Sequence, residues 1–590
     1  MKPLQTSGLK RFIDGYTDDS RKAGPNHLCP PSVNCDISKT GEAVYGKGYI
    51  PMAFDLNNAG KVSRPFHVPR YNVTFFAING KVLFVNHNNS DAVVDTGVSL
   101  TETTGMNTRF GEYAGDIYFT NRKDGLWQIH MGLVNGAASS GAATITVDQD
   151  LAGRFNAFAH TAATLRIANT SPFTEAYTAA ATSGVITLTN TLDANVADDT
   201  VVYVVTDISS TRPKGSGITF WKERMIIWGV ISDTGVNSAT NLVYMSAFAL
   251  ISGGDGTALS NIIDFTTAST GAREMIGKNG VVTNVLSTRD YLYMFTQNET
   301  YYSSTSDVNI TTGGTLPQLL SNQYGCINED CAADLGNGLA CFMTNNKRIM
   351  GIRIATQTGA PVVFPDETFD APLSNTVALL DSDQSDSFFF YAPNDHKLYA
   401  HCNVDTERLV LKFNSQIQKW EPPRNGWSFG GMYVKAGVTY ACELTDDNVH
   451  QLNEGFQNNG IDYEVVIAGN LVEGDDGRTT LSLKSLGISG RASELATVTV
   501  ESYVGNGTPL QKSFTVPSGA SSGSIGSVIL GTLTIGSGLG TDLVDWDKLL
   551  GIYPRYGPSY QWAVRSIGAI TVTSYSIYGA PLSKPLLTLS

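Results

Sequence analysis

The chain has 590 residues, 42% of them hydrophobic and 16% charged, with a formal net charge of −14. That length exceeds one simple core and sets an expectation of about two to four domains, while the apolar share excludes a disordered chain. Its Lys and Arg residues are scattered without a run, which argues against a groove that grips nucleic acid, since clustered cations are needed to displace counterions.

Residues 1–50 carry no clear period. Pro25, Pro30 and Pro31 lie among polar turns, and this stretch reads as an extended N-terminal arm ending in one strand. Met1–Ser7 lacks an apolar signal core, and no stretch reaches membrane-spanning length without polar breaks. A chain made and kept in a cytosol, or built there into something larger, is the expectation.

Residues 51–133 hold the first two hairpins. Phe75–Val85 turns at Asn79-Gly80, and Gly115–Thr120 is followed by Gly125–Ile129. From 134 to 212 the chain becomes rich in Ala and Thr, with short alternating strands at 143–147, 163–167, 185–189 and 201–206. This reads as a small β-domain inserted in a loop. Hairpins resume at Gly217–Val230, Tyr291–Tyr302, Gly338–Ile352, Phe388–Ala400 and Gly437–Leu452. One such hairpin cannot bury both faces, but several stacked radially can, which is the logic of a β-propeller. At roughly 45 residues per four-stranded blade, 51–133 together with 213–459 make about seven blades, within a range of six to eight. No hairpin there carries a Trp-Asp dipeptide. Tyr49–Phe54 is expected to complete the last blade near 437–452, because pairing first and last strands removes two open edges.

From 460 to 590 the texture changes again. Ile461–Ile467, Ala496–Val500, Ser513–Val516, Val528–Ile535 and Ala569–Val572 alternate, and turns such as Gly505-Asn506-Gly507 separate them. These predict a C-terminal β-sandwich-like domain. Asp542–Leu550 is the one decent helix candidate. The fold class is therefore all-β: a propeller, an inserted β-domain and a C-terminal β-domain.

Chemistry is sparse. Gly519-Ala520-Ser521-Ser522-Gly523 matches a nucleophile elbow but has no helix after it. Asp381, Asp383 and Asp386 crowd one loop, and Glu473–Gly477 resembles it, yet both lack the full calcium-loop pattern. His396, His401 and Cys402 are close in sequence, as are Cys326 and Cys331, without finger-like spacing for zinc. The seven cysteines are odd in number and read as buried thiols. Tyr301 and Tyr302 alternate in a strand, so one faces outward. The pattern assigns no catalytic, cofactor-binding, metal-binding, channel or gate residue, and the chain is expected not to be an enzyme.

The order of pieces resembles the tail nozzle proteins of short-tailed bacteriophages, also called tail tubular protein B or packaged-DNA stabilisation protein. The resemblance lies in Pro30–Ile37 with Gly41, the Phe75–Val85 hairpin, Gly115–Ile129, Trp221–Gly229 followed by Asn241–Ser246, Asp290–Phe295, Asn298–Tyr302, Phe413–Trp420 and Gly437–Leu452. It covers most of residues 25–460 and is one of pattern. It implies a structural virion protein that forms a closed ring, a hexamer in that family. The ring would continue the DNA channel below the portal and its adaptor, hold tail fibres or spikes, and retain packaged double-stranded DNA without tight binding until ejection. Two other readings share the propeller: another tail part such as a hub or adsorption protein, and a glycan-binding or glycan-cleaving propeller.

Overall fold

The computed structural model describes residues 4–5, 12–19, 23, 26–56, 60–104, 107–148, 164–169, 171–178, 184–208, 213–229, 242–247, 262–265, 273–276, 280–304, 317–355, 359–363, 369–455, 457–473, 481–492, 496–504, 509–516, 544–557, 559–567 and 570–581. The fold is all-β. Seven antiparallel four-stranded units follow one another along the chain. Their first strands are Phe66–Val68, Arg109–Tyr113, Gly217–Trp221, Val282–Ser287, Ala332–Asp334, Phe388–Ala392 and Phe429–Lys435. Each first strand neighbours the next, and the seventh neighbours the first. The units thus surround a common axis, the arrangement of a β-propeller.

Packing on both faces explains the sequence texture. Inner strands such as Val73–Ile78, Asp116–Asn121 and Leu339–Met343 are buried at every position. They read as continuous apolar runs because neighbouring sheets cover both sides, whereas an exposed face would impose alternation.

Tyr49–Asp55 does pair with Asn448–Leu452, with Tyr49 opposite Leu452 and Pro51 opposite His450. The fourth strand of the seventh unit therefore comes from the front of the chain.

The insert boundary moves. Val201–Asp207 pairs in register with Gly125–Leu133 and is the fourth strand of the second unit. In the sequence it is one more short apolar strand following those of the insert, which is why the boundary fell at 212 instead of 200. The insert strands Thr164–Ile167, Phe173–Thr178, Val185–Leu188 and Thr144–Thr146 continue that same sheet outward to eight strands. They carry a core of their own around Ile145, Leu165, Tyr177 and Ile186. The second unit and the insert both lean on the first: the Tyr203 hydroxyl of the second unit's fourth strand donates to the Asp95 carbonyl at 3.2 Å. Gly97, at φ +72°, leaves room for Arg166, whose Nη1 would lie 2.0 Å from any Cβ added there.

The described part of the arm is not merely extended. Cys35–Ile37 and Ala43–Tyr45 form a hairpin whose second strand joins Ile570–Pro581, and Leu4–Gln5 pairs with that same strand. Three-residue strands are too short to show a period, which hid them in the sequence. With Leu481–Ala492 and Val544–Gly557 they build one sheet, and Val465–Ala468, Ser559–Ile567, Ala496–Val504 and Leu510–Val516 build a second. Leu486, Ile488, Val572 and Tyr575 of the first share a core with Ile467, Val498, Trp562 and Val564 of the second. A helix is expected over Asp542–Leu550 from the sequence, but from Val544, where the described residues resume, the segment is strand: Val544–Gly557 pairs along Leu481–Ala492, so tertiary pairing overrides local propensity. Of the other alternating segments, 528–535 lies outside the described residues.

A buried ionic cluster fastens the arm to the sixth unit. Lys397 Nζ lies 3.0 Å from both Asp36 and Glu421, Lys412 pairs with Asp36, and Arg424 Nη2 is 3.4 Å from Asp36. Burial alone would raise the Asp36 carboxyl, but Lys397, Lys412 and Arg424 together hold it well below its ordinary value. Gly46 is required there, since a Cβ would sit 1.7 Å from Arg424 Nη2.

Candidate functional site

The axis is the natural place to look, because all seven units converge on it. A cavity of about 300 Å³ lies there, walled by residues of every first strand or its approach, among them Arg64, Arg109, Ile218, Asn284, Phe389 and Met432. Its chemistry centres on Asp330. Arg109 grips Asp330 with two hydrogen bonds, Nε to Oδ1 at 3.0 Å and Nη2 to Oδ2 at 2.5 Å. Arg64 Nη2 reaches Oδ2 at 3.0 Å. Burial would raise the Asp330 carboxyl, and the two guanidinium groups outweigh it, leaving it below its ordinary value. Arg64 also lies over the Phe388 ring, 4.4 Å from the centroid, and Phe388 stacks on His401 at 4.4 Å.

Asp330 is held from both sides, while Arg64 Nε and Nη1 make no hydrogen bond among the described residues. Asn284 Nδ2 donates to the carbonyls of Asn328 and Glu329, and the Thr219 and Ser287 hydroxyls are 2.8 Å apart. The cavity is of small-molecule scale, far too small for a duplex to thread. Its arrangement ties the first, second, fifth and sixth units at the centre.

A second constellation went unseen in the sequence. Thr74 Oγ1 is 2.8 Å from His87 Nε2, and His87 Nδ1 pairs with Asp91. Hydroxyl, imidazole and carboxylate stand in the order of a nucleophilic triad. His67 Nδ1 also meets Thr74 Oγ1, at 3.0 Å, and Lys435 Nζ lies 3.1 Å from His87 Nδ1. Thr74 is wholly buried and the His87 side chain is 2% exposed, so no acyl group can reach the hydroxyl. The network joins the first and seventh units. Burial pushes His67 down to about 4, with His87 and Lys435 adding to the shift. No motif spacing marks these residues; only the strand register brings them together.

The sequence candidates are dispersed. Asp381 accepts from the Thr406 N–H, Asp383 from the Ser385 N–H, and Asp386 pairs with Lys61 at 2.8 Å, so the three carboxylates are turned to separate partners. His401 is wholly buried with neither ring nitrogen hydrogen-bonded, and burial with nearby Arg408 and Arg64 holds it well below its ordinary value. Cys402 is buried too, and the His396 carbonyl accepts from Ser415 at a turn. Cys326 and Cys331 are buried free thiols, as are the other five cysteines. Among the described residues no group of three His, Cys, Asp or Glu could hold a metal ion. Tyr301 is 5% exposed while Tyr302 is half-buried and donates to Gln318. The Gly519–Gly523 segment and 474–477 lie outside the described residues. No helix among the described residues is long and apolar enough to cross a membrane.

No protein-family model matches the chain, and no curated protein matches it. Among solved structures it is similar to the computationally designed Ika8 protein, at 9% identity and TM-score 0.34, covering 69% of this chain and 100% of that one. The WD40 β-propeller domain of Doa1 matches at 10% identity and TM-score 0.32, covering 68% and 96%. The dihydro-heme d1 dehydrogenase NirN, in complex with DHE, matches at 10% identity and TM-score 0.31, covering 73% and 70%. Scores this low carry no argument about function, and the propeller rests on the sheet topology itself.

Proposed function

We propose that the chain is a structural subunit of a short-tailed phage tail: a nozzle component that assembles as a closed ring, six copies in the family it resembles. The ring continues the DNA channel below the portal and adaptor, carries fibres or spikes, and retains the genome until ejection. In this reading the seven units are seven blades, the insert spans 134–200, and the two C-terminal sheets with the arm hairpin form one appended domain.

The observation that carries the reading is where the appended parts leave the propeller. The insert occupies the connection between third and fourth strands of the second unit. The C-terminal sheets and the arm occupy the equivalent connection of the seventh, between Asn448–Leu452 and Tyr49–Asp55. Because successive strands of an antiparallel meander alternate in direction, equivalent connections emerge on the same face. A propeller with both extra modules on one face has distinct sides, as a head-to-tail ring requires. Charge supports the same reading. Residues 213–459 hold 25 Asp and Glu against 15 Lys and Arg, and an acidic wall multiplied round a ring repels phosphate. The narrow axial cavity is consistent with DNA passing through the ring of copies and not through each propeller.

Cryo-electron microscopy of virions, with antibody against the chain marking its place, tests this. A ring of the chain on the tail axis supports the proposal. Its absence from particles, or its presence only in fibres, sinks it.

A further inference from the structure

A second cavity, of about 340 Å³, opens between the fourth and fifth units. It is bounded by the turns that follow their first strands, and its walls include Arg289, Asp290, Tyr293, Asp334, Leu339 and Ile354.

The polar groups here do not satisfy one another. Asp334 Oδ1 accepts the Gly336 N–H at 2.9 Å, and among the described residues its side chain has no other hydrogen bond and no ion pair. Burial raises its carboxyl above the ordinary value, and the Gly336 bond offsets only part of that. Tyr293 is 2% exposed, yet its hydroxyl makes no hydrogen bond among the described residues. Asp290 and Arg289 are exposed on the turn and form no ion pair there either.

A half-buried carboxylate with a free oxygen, beside a phenol hydroxyl that no described protein group meets, leaves the cleft with acceptors and no donor to match them. What it lacks is hydrogen-bond donors and positive charge. An ammonium supplies three donors and one charge in a compact head. The Leu339 and Ile354 side chains give the methylene stem an apolar wall, as cationic side chains use elsewhere.

We propose that this cleft binds a primary aliphatic ammonium group, carried by a free alkylamine or by a lysine side chain, with Asp334, Asp290 and the Tyr293 hydroxyl as its acceptors. The site is independent of the nozzle reading and holds for any function of the propeller. Arg289 is the competing cation at its rim.

Calorimetric titration of the full chain at constant ionic strength is the test. The probes are n-butylammonium, 1,5-diaminopentane and Nα-acetyl-lysine methylamide, with tetramethylammonium and glucose as controls. One saturable site for a primary amine is expected. Asp334→Asn should weaken it about tenfold, the worth of one charge-assisted hydrogen bond. Tyr293→Phe should weaken it by a smaller factor, and Arg289→Ala should tighten it. Binding of the free amines without the lysine derivative assigns the site to small amines, and comparable binding of the lysine derivative assigns it to lysine side chains. The proposal is overturned if no amine binds, if Asp334→Asn binds as well as the parent, if tetramethylammonium binds equally, or if glucose binds in an Asp334-dependent way, which would make it a sugar site.

Discussion

Tyr49 stands opposite Leu452 in the seventh unit, and its ring packs edge-on against His450 at 4.8 Å and Phe429 at 5.2 Å. A residue near the amino terminus thus helps hold the last unit together. Tyr49→Ala should cost about 2 kcal/mol, from lost apolar burial and aromatic packing. Removing residues 1–56 should do far more, because it leaves Asn448–Leu452 as an open edge. Urea unfolding of the point variant and solubility of the truncation check both. A truncation that unfolds cooperatively at the parent midpoint would show that closure is dispensable.

At the axis, Asp330→Ala strands Arg64 and Arg109 without their carboxylate. The expected loss is about 3–5 kcal/mol, the usual result of leaving buried charge uncompensated. Replacing all three by apolar residues of similar volume should restore much of it. Chemical denaturation of the single and triple variants measures this, and a single-variant loss below about 1 kcal/mol would mean the pairs are solvent-screened.

The histidines of the first unit give a pH dependence with a definite sign. His67 has a folded value of about 4 against an ordinary 6.5, and His87 is lowered too. The unfolded chain therefore binds these protons first. Stability should be full above pH 6.5 and fall as pH drops from there toward 4. Asp330, by contrast, is lowered and contributes its loss only at more acidic pH. Urea midpoints between pH 4.5 and pH 8 should show the slope, and His67→Gln should reduce it, leaving the shares of His87 and of the buried His401. A parent protein equally stable across that range contradicts the assignment.

Leu133 and Val201 are register partners, so the strands that flank the insert already meet. Replacing 134–200 with an Asn-Gly turn closes them as an ordinary two-residue hairpin. The shortened chain should fold with a β-rich circular-dichroism spectrum and, on the proposed nozzle role, fail to enter tails. Infectious particles built from it would show the insert to be ornamental.

Duplex DNA should bind the isolated protein weakly or undetectably, with little salt dependence, since its cations are few and dispersed. Fluorescence anisotropy across a salt series decides this. A steep fall of affinity with salt would reveal a phosphate-gripping surface.

Hairpins were legible wherever a turn residue has a required conformation. Asn79, with φ +46°, and Gly80 form the turn of a pair whose register runs from Val73–Asn86 to Ile78–Lys81. The closing strand was legible because Tyr49–Phe54 is an apolar run with no local partner. What escaped was set by distant contacts. Cys35–Ile37 is strand only because Ile570–Pro581 receives its hairpin, and Val544–Gly557 is strand because Leu481–Ala492 lies beside it. The Thr74–His87–Asp91 chain depends on a pairing register and a side-chain direction, and neither the amine cleft nor the axial carboxylate leaves any mark of spacing.

The shared seventh unit also fixes a schedule for synthesis. Tyr49–Asp55 leaves the ribosome among the first strands, while its partner Asn448–Leu452 is among the last of the propeller. At roughly 5–20 residues per second, the early strand waits on the order of 20–80 s for its mate. Throughout that time the units made so far form an open arc that grows to six, with an unpaired strand at one end. The interval is a window in which a neighbouring chain, or a chaperone, competes for the same edge, so the yield of closed protein should depend on how fast translation delivers residues 448–452.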